Sequence, residues 1–187
     1  MKIESEIAKR IRLVAFDVDG VMTDAGVYIG MAGESLCELK KFSTQDSVGL
    51  KMLQAAGIEV ALVSGRVSEA TDARAKELGI REVIQVRNAL KVKPLKAMLS
   101  RLGVELCEVV FVGDDLPDIP VMKIVGLSVG VGNSVQEVRE IATVCTEKSG
   151  GDGAVREFAE ALLRARGEWD RLVERYLSAQ DEPTTDA

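Results

Sequence analysis

Nowhere along the 187 residues do about 18 apolar residues run without interruption, the length a helix needs to cross a bilayer. The amino terminus, Met1-Lys2-Ile3-Glu4-Ser5-Glu6, mixes acids with a base and lacks the apolar core of a signal peptide. Membrane spanning and secretion are therefore not expected, and a cytoplasmic location is. Cysteine is scarce: Cys37, Cys107 and Cys145 are odd in number, far apart and set in apolar stretches, so they read as reduced core residues rather than a disulfide framework or a zinc site. Positive charge is also short, with 24 Lys and Arg against 30 Asp and Glu and a net charge of −6. That balance argues against a nucleic-acid-binding surface or an anionic-membrane binder, and it requires any anionic substrate to be met by local cations. No GxxxxGK[ST] follows any expected strand, which removes a P-loop nucleotidase. No internal repeat or interdomain linker stands out, so one domain is expected over residues 1–177, with 178–187 a polar, disordered tail.

What the chain does have is a regular alternation of short β-branched apolar runs and amphipathic segments. Strands are expected near residues 12–16, 59–63, 82–85, 108–112, 127–129 and 143–145. Helices are expected near 47–56, 68–78, 91–102, 118–125, 135–141 and 154–166. This order predicts an α/β fold, a Rossmann-like doubly wound parallel sheet. Gly57, Gly79, Gly103 and Gly126 sit where helices should stop in left-handed caps, and Ser134-Val135-Gln136-Glu137 fits a capping box. Residues 23–44 break the alternation. There, 27–29 and 36–42 flank a turn read as Gly30-Met31-Ala32-Gly33-Glu34, a small β-hairpin insertion expected to make subunit contacts and shape the site mouth.

The chemistry is expected at the ends of the strands. The apolar run Leu13-Val14-Ala15-Phe16 leads into Asp17-Val18-Asp19-Gly20-Val21, where two carboxylates two residues apart can face one side. Carboxylates that repel invite a divalent cation with hard oxygen ligands, and a metal beside a carboxylate nucleophile points to phosphoryl transfer. In an open α/β sheet the loops after the carboxyl ends line one crevice. Ser64-Gly65-Arg66 offers a hydroxyl, a flexible backbone and a cation for a phosphate or an acidic sugar, and Gly113-Asp114-Asp115-Leu116-Pro117-Asp118 adds a second acidic cluster. Alone, Asp118 would read as a helix N-cap. One of Lys91, Lys93 and Lys96 can reach the carboxylates; at least two of them are solvated surface charges.

In order, DVDGV, SGR, a helix-opening lysine and GDDLPD resemble the four motifs of the haloacid dehalogenase superfamily of phosphotransferases. The stretch Tyr28-Ile29-Gly30, the Phe42, Asp46, Gly49-Leu50 run, and Gly150-Gly151-Asp152-Gly153-Ala154-Val155 are similar to the 3-deoxy-D-manno-octulosonate 8-phosphate phosphatase subfamily. That resemblance implies a core without a cap domain, a homotetramer joined through the hairpins, and magnesium dependence. It implies Asp17 as the nucleophile that forms an aspartyl-phosphate and Asp19 as acid–base partner, protonated at the start. It implies magnesium held by Asp17, the backbone carbonyl of Asp19 and Asp114, with Asp115 and Asp118 one step behind. Ser64 and a lysine would hold the phosphoryl group, the lysine being Lys91 with Lys93 as runner-up, and Gly65 and Arg66 would meet the substrate.

The substrate implied is a phosphorylated keto-deoxy sugar acid, the octulosonate first and a nononate or sialate 9-phosphate as alternatives. The subfamily's frequent Arg-Asp-Gly after the hairpin is here Gln45-Asp46-Ser47, which leaves Arg66, and then Lys40, Lys41 or Arg156, to meet a sugar carboxylate. A non-catalytic oligomerisation module would not need both aspartates, and a phospho-accepting receiver domain would lack the second.

Overall fold

The computed structural model describes residues 1–178. In chain order the elements are α1 (Ser5–Arg10), β1 (Leu13–Phe16), β2 (Tyr28–Ala32), β3 (Ser35–Leu39), α2 (Thr44–Ala55), β4 (Glu59–Ser64), α3 (Glu69–Glu77), β5 (Glu82–Gln85), α4 (Val92–Leu102), β6 (Val109–Gly113), α5 (Ile119–Met122), β7 (Leu127–Gly130), α6 (Gln136–Ile141), β8 (Val144–Cys145), α7 (Ala154–Arg166) and α8 (Trp169–Ser178). Six strands form one parallel sheet in the order β5-β4-β1-β6-β7-β8, and β2 and β3 pair separately as an antiparallel hairpin. The fold is the expected doubly wound α/β sheet with a hairpin insertion.

The central strands are apolar on both faces because both faces are covered. Val14 and Phe16 of β1 point into a core closed by α1, α2, α3, α7 and α8, while Leu13 and Ala15 point into a second core under α4, α5 and α6. Phe16 meets Phe158 of α7 edge to face at 6.0 Å. From β1 the chain winds outward to β4 and β5, then returns to β1's other side and winds out through β6, β7 and β8. The reversal between β1 and β6 opens a crevice at their carboxyl ends, where Asp17 and Asp114 emerge.

Local expectations fared unevenly. Gly57, Gly79 and Gly103 take positive φ as caps, but Gly126 does not. Its task is close approach: a Cβ there would lie 2.1 Å from the Cys107 carbonyl oxygen. Ser134 opens no capping box; its hydroxyl accepts the Val131 N–H (2.7 Å) and donates to the Gly113 carbonyl (3.3 Å), closing the turn after β7. The hairpin turn is tighter than expected, since Ala32 pairs with Ser35 and only Gly33 and Glu34 form the loop, with Gly33 at φ 64°. Cysteine is not in the core: Cys107 is exposed, Cys37 and Cys145 are half-buried, and all three are free thiols. Helices α1 and α8 were not foreseen. The second is held by buried Trp169 and Leu172, with Arg156 and Arg164 stacked 4.9 and 5.6 Å from the Trp169 ring. Ser178, expected in the tail, ends α8; the rest of that stretch lies outside the described residues.

Candidate active site

Three carboxylates converge at the crevice. One oxygen each from Asp17, Asp114 and Asp118, all buried, lies within 4.8 Å of the others. Lys91, which precedes α4, sends its ammonium between two of them, 2.7 Å from Asp17 Oδ1 and 2.7 Å from Asp118 Oδ1. Lys93 and Lys96 are exposed. Burial disfavours the charge on Lys91, but Asp17 and Asp118 outweigh it and raise the ammonium's pKa. Burial, reinforced by Asp118, pushes Asp17 up to about 7 despite Lys91. Burial, followed by the charges of Asp17, Asp118 and Asp115, pushes Asp114 up to about 8.

These shifts describe carboxylates with too little positive charge among them. Asp118 is saturated, its Oδ1 taken by Lys91 and its Oδ2 by the N–H groups of Asp114 and Asp115. It sits at the N-terminus of α5 without capping it. Asp114 Oδ1, by contrast, is buried with no hydrogen-bond partner among the described residues. An orphaned carboxylate oxygen beside Asp17, in a cluster of three carboxylates and one ammonium, suits a divalent cation bound through oxygen. Asp118, expected one step behind the other carboxylates, folds back under the cluster and shares Lys91 with Asp17. Gly113 permits it, because a Cβ there would lie 2.6 Å from the Asp118 side chain.

Backbone packing fixes the loop that carries the two aspartates. Gly20, at φ 98°, leaves room for Asp114, whose Oδ2 would be 2.0 Å from a Cβ at that position. Thr23 Oγ1 accepts the Gly20 N–H (3.3 Å) and donates to the Val18 carbonyl (3.2 Å). Asn133 donates to the Gly20 carbonyl (2.9 Å) and accepts the Gly150 N–H (2.6 Å), pinning the loop to the glycine-rich segment before α7. Gly150 lies so close that a Cβ would fall 1.9 Å from the Gly20 carbonyl oxygen. Buried Asp46 of α2 anchors the same segment by accepting the Arg156 N–H (2.8 Å) and the Gly153 N–H (3.4 Å); burial pushes its carboxyl up, against those bonds.

Asp19 takes a different set of partners. Ser64 Oγ donates to its Oδ2 at 3.5 Å and accepts the Arg66 N–H at 3.1 Å. Lys40 Nζ lies 2.7 Å from its Oδ1, in an ion contact too bent for a hydrogen bond. The cleft above, about 210 Å³, is lined by Asp17, Asp19, Gly65, Arg66, Lys91 and Asp118, with Ala89, Asp115 and Pro117 at its side. A cleft of about 280 Å³ at the amino end of the sheet, between Lys9, Arg12, Glu59 and Arg166, gathers no comparable set of carboxylates.

The candidates for a sugar carboxylate are rearranged. Arg66 stands at the cleft but is ion-paired with Glu38 of the hairpin at 2.8 Å. Lys41 is exposed beside Asp24, and Arg156 stacks on Trp169. Gln45 faces Gly153 and does not line the cleft. Glu38 and Asn133 were missed, and Lys40, a candidate for the sugar carboxylate, lies instead against Asp19. The alternation Glu38-Leu39-Lys40 at the end of β3 was the available signal for two of them.

A sequence profile of haloacid dehalogenase-like hydrolases matches residues 83–158. The chain is 39% identical over 163 residues to the 3-deoxy-D-manno-octulosonate 8-phosphate phosphatase of Escherichia coli K12, covering 87% of this chain and 85% of that one. Among solved structures it is similar to the Moraxella catarrhalis enzyme of the same name in complex with magnesium, phosphate and 3-deoxy-D-manno-octulosonate, at TM-score 0.85 and 37% identity over 92% of this chain and 97% of that one. It is also similar to the cobalt-bound Haemophilus influenzae phosphatase, at TM-score 0.84 and 30% identity over 91% and 99% of the two chains.

Proposed function

Because the chain belongs to the 3-deoxy-D-manno-octulosonate 8-phosphate phosphatases of the haloacid dehalogenase superfamily, we propose that it hydrolyses the phosphate ester of a keto-deoxy sugar acid, the octulosonate 8-phosphate first, through an aspartyl-phosphate. It is a phosphomonoester hydrolase. The observation that carries the residue assignment is the single ammonium of Lys91 bridging Asp17 and Asp118 beside the unpartnered oxygen of Asp114.

In this reading Asp17 attacks phosphorus in line with the departing sugar oxygen, and Asp19 gives that oxygen a proton. Asp19 then takes a proton from the water that hydrolyses the aspartyl-phosphate, returning free Asp17 and inorganic phosphate. Lys91 has three donors and spends two on Asp17 and Asp118, so the third is available to a phosphoryl oxygen. The backbone N–H groups around Gly65 offer further donors, the one Ser64 hydroxyl proton being spent on Asp19. A magnesium ion held by Asp17, the Asp19 backbone carbonyl and Asp114 would neutralise charge on the transferring group. Arg66 supports the sugar-acid preference, since a substrate carboxylate can replace Glu38 as its partner. Gln45 lies off the cleft, facing Gly153, and Arg66 and Lys91 are the cations that line it.

A panel of sugar phosphates and simple phosphomonoesters tests the substrate. The octulosonate 8-phosphate is expected to exceed neutral hexose phosphates in kcat/KM by ~10- to 100-fold, the worth of a charge-assisted hydrogen bond from the exposed Arg66. Equal efficiency across the panel would sink the assignment, and a preference for nine-carbon 9-phosphates would redirect it.

The hairpin supports a homotetramer. Ile29, Met31 and Leu36, on one face of the hairpin, expose 65–74% of their surfaces, an apolar patch that association would cover. Light scattering is expected to give a tetramer mass, and Ile29→Lys with Leu36→Glu a smaller species. A monomeric wild type would rule the assembly out.

A further inference from the structure

The hairpin brings to the site a charge for which the reaction above has no task. Glu38 and Lys40 are two apart on extended backbone and so face the same way, toward Asp19 and the loop after β4. The Lys40 side chain has no exposed surface; its ammonium lies 2.7 Å from Asp19 Oδ1, 3.8 Å from Glu38 Oε1 and 3.5 Å from Thr71 Oγ1. An ammonium enclosed in this way is costly unless paired, and its nearest partner is Asp19. Ser64 holds the other Asp19 oxygen. Asp17 shares neither partner, its carboxylate going to Lys91.

We propose that Lys40 is a positioning residue for acid–base catalysis: it fixes Asp19 through Oδ1, so that Oδ2, on the Ser64 side and free of the ammonium, carries the proton given to the leaving oxygen of the sugar phosphate and later recovered from water. The proposal rests on Asp19 as the acid–base group. It gives the hairpin a second task within the protomer, completing the site from an element outside the parallel sheet. It also removes Lys40 from the candidates for the sugar carboxylate, because an enclosed side chain already paired with Asp19 and Glu38 has no face left for substrate. A catalytic group displaced by about 1 Å can lose about 100-fold in rate.

The test is the dependence on leaving group. A sugar phosphate releases a strongly basic alkoxide that needs a proton, whereas p-nitrophenyl phosphate releases a weak base that needs none. kcat/KM is measured for both, using the sugar phosphate best hydrolysed in the panel. Asp19→Asn is expected to lose ~100-fold or more on the sugar phosphate and only a few-fold on the aryl ester. Lys40→Met should show the same selectivity, roughly 10- to 100-fold on the sugar phosphate and within about 3-fold on the aryl ester. The retained aryl activity reports an intact fold. Lys40→Arg keeps the enclosed charge but replaces a compact ammonium with a wider fork, and should show the selective loss in smaller measure. An equal fall on both substrates in the Lys40 variants, or no fall on either, overturns the proposal. If Asp19→Asn itself fails to discriminate, the acid–base reading of Asp19 falls first, and the positioning role of Lys40 with it.

Discussion

Asp17→Asn is expected to reduce phosphate release by ~10⁴-fold or more while leaving the protein folded and no less stable to heat. The loss follows from the nucleophile assignment, because an amide oxygen cannot form the aspartyl-phosphate and the residual positioning groups cannot replace that step. The intact fold follows from the electrostatics. Asp17 is held up to about 7 by burial and by Asp118, so the buried charge is a liability in the free protein. An asparagine keeps an oxygen for Lys91 at the same position, and Lys91 keeps Asp118. Phosphate release by a purified, correctly folded variant at more than a few per cent of wild type would remove Asp17 from the nucleophile's role. Loss of both activity and fold would instead make it a structural residue.

Removal of divalent cations should have a comparable effect, at least ~10³-fold on turnover, restored by magnesium. Two unit charges 4 Å apart repel by about 4 kcal/mol at an effective dielectric near 20, a phosphate dianion roughly doubles this, and each 1.36 kcal/mol is about tenfold in rate. Lys91 alone cannot cover Asp17, Asp114, Asp118 and an incoming dianion. Binding should also be visible without turnover. Metal stabilises only the folded state, so the melting temperature should rise with magnesium concentration, and less so in Asp114→Asn.

The sign of the pH effect follows from the raised carboxyls. Asp17 and Asp114 hold protons in the folded chain up to about 7 and about 8, which they lose near 4 when unfolded. The folded state thus binds more protons across that window, and the metal-free protein loses stability as pH rises through it. Magnesium competes with those protons, so its apparent affinity should increase over the same range. Metal-free turnover equal to the loaded enzyme's, together with a melting temperature indifferent to magnesium, would exclude a metal site.

Much of this protein was legible before any coordinates. The strands around Asp17, Ser64 and Asp114 were readable because each is a short apolar run covered on both faces, which leaves an apolar signature ending at the loop that carries the polar residue. The chain has no histidine, so proton transfer and metal binding fall to carboxylates, and carboxylates at strand ends are easy to see. Errors came where a residue's task is set by something distant in sequence. Gly126 read as a cap because it follows a helix, yet its constraint is the Cys107 carbonyl. Ser134 read as a cap because Glu137 lies three residues on, yet its partners are Val131 and Gly113.

The sequence by itself determined the sheet, its helical crossovers and which loops carry Asp17, Asp19 and Asp114, since hydrophobic period and motif spacing are local properties of the chain. Tertiary structure alone decided how the charges are divided: Lys91 rather than Lys93 for Asp17 and Asp118, Lys40 for Asp19, and Glu38 for Arg66. Those pairings depend on distances across segments far apart in the chain. Electrostatic energy varies with separation and burial, and neither is written in the order of the residues.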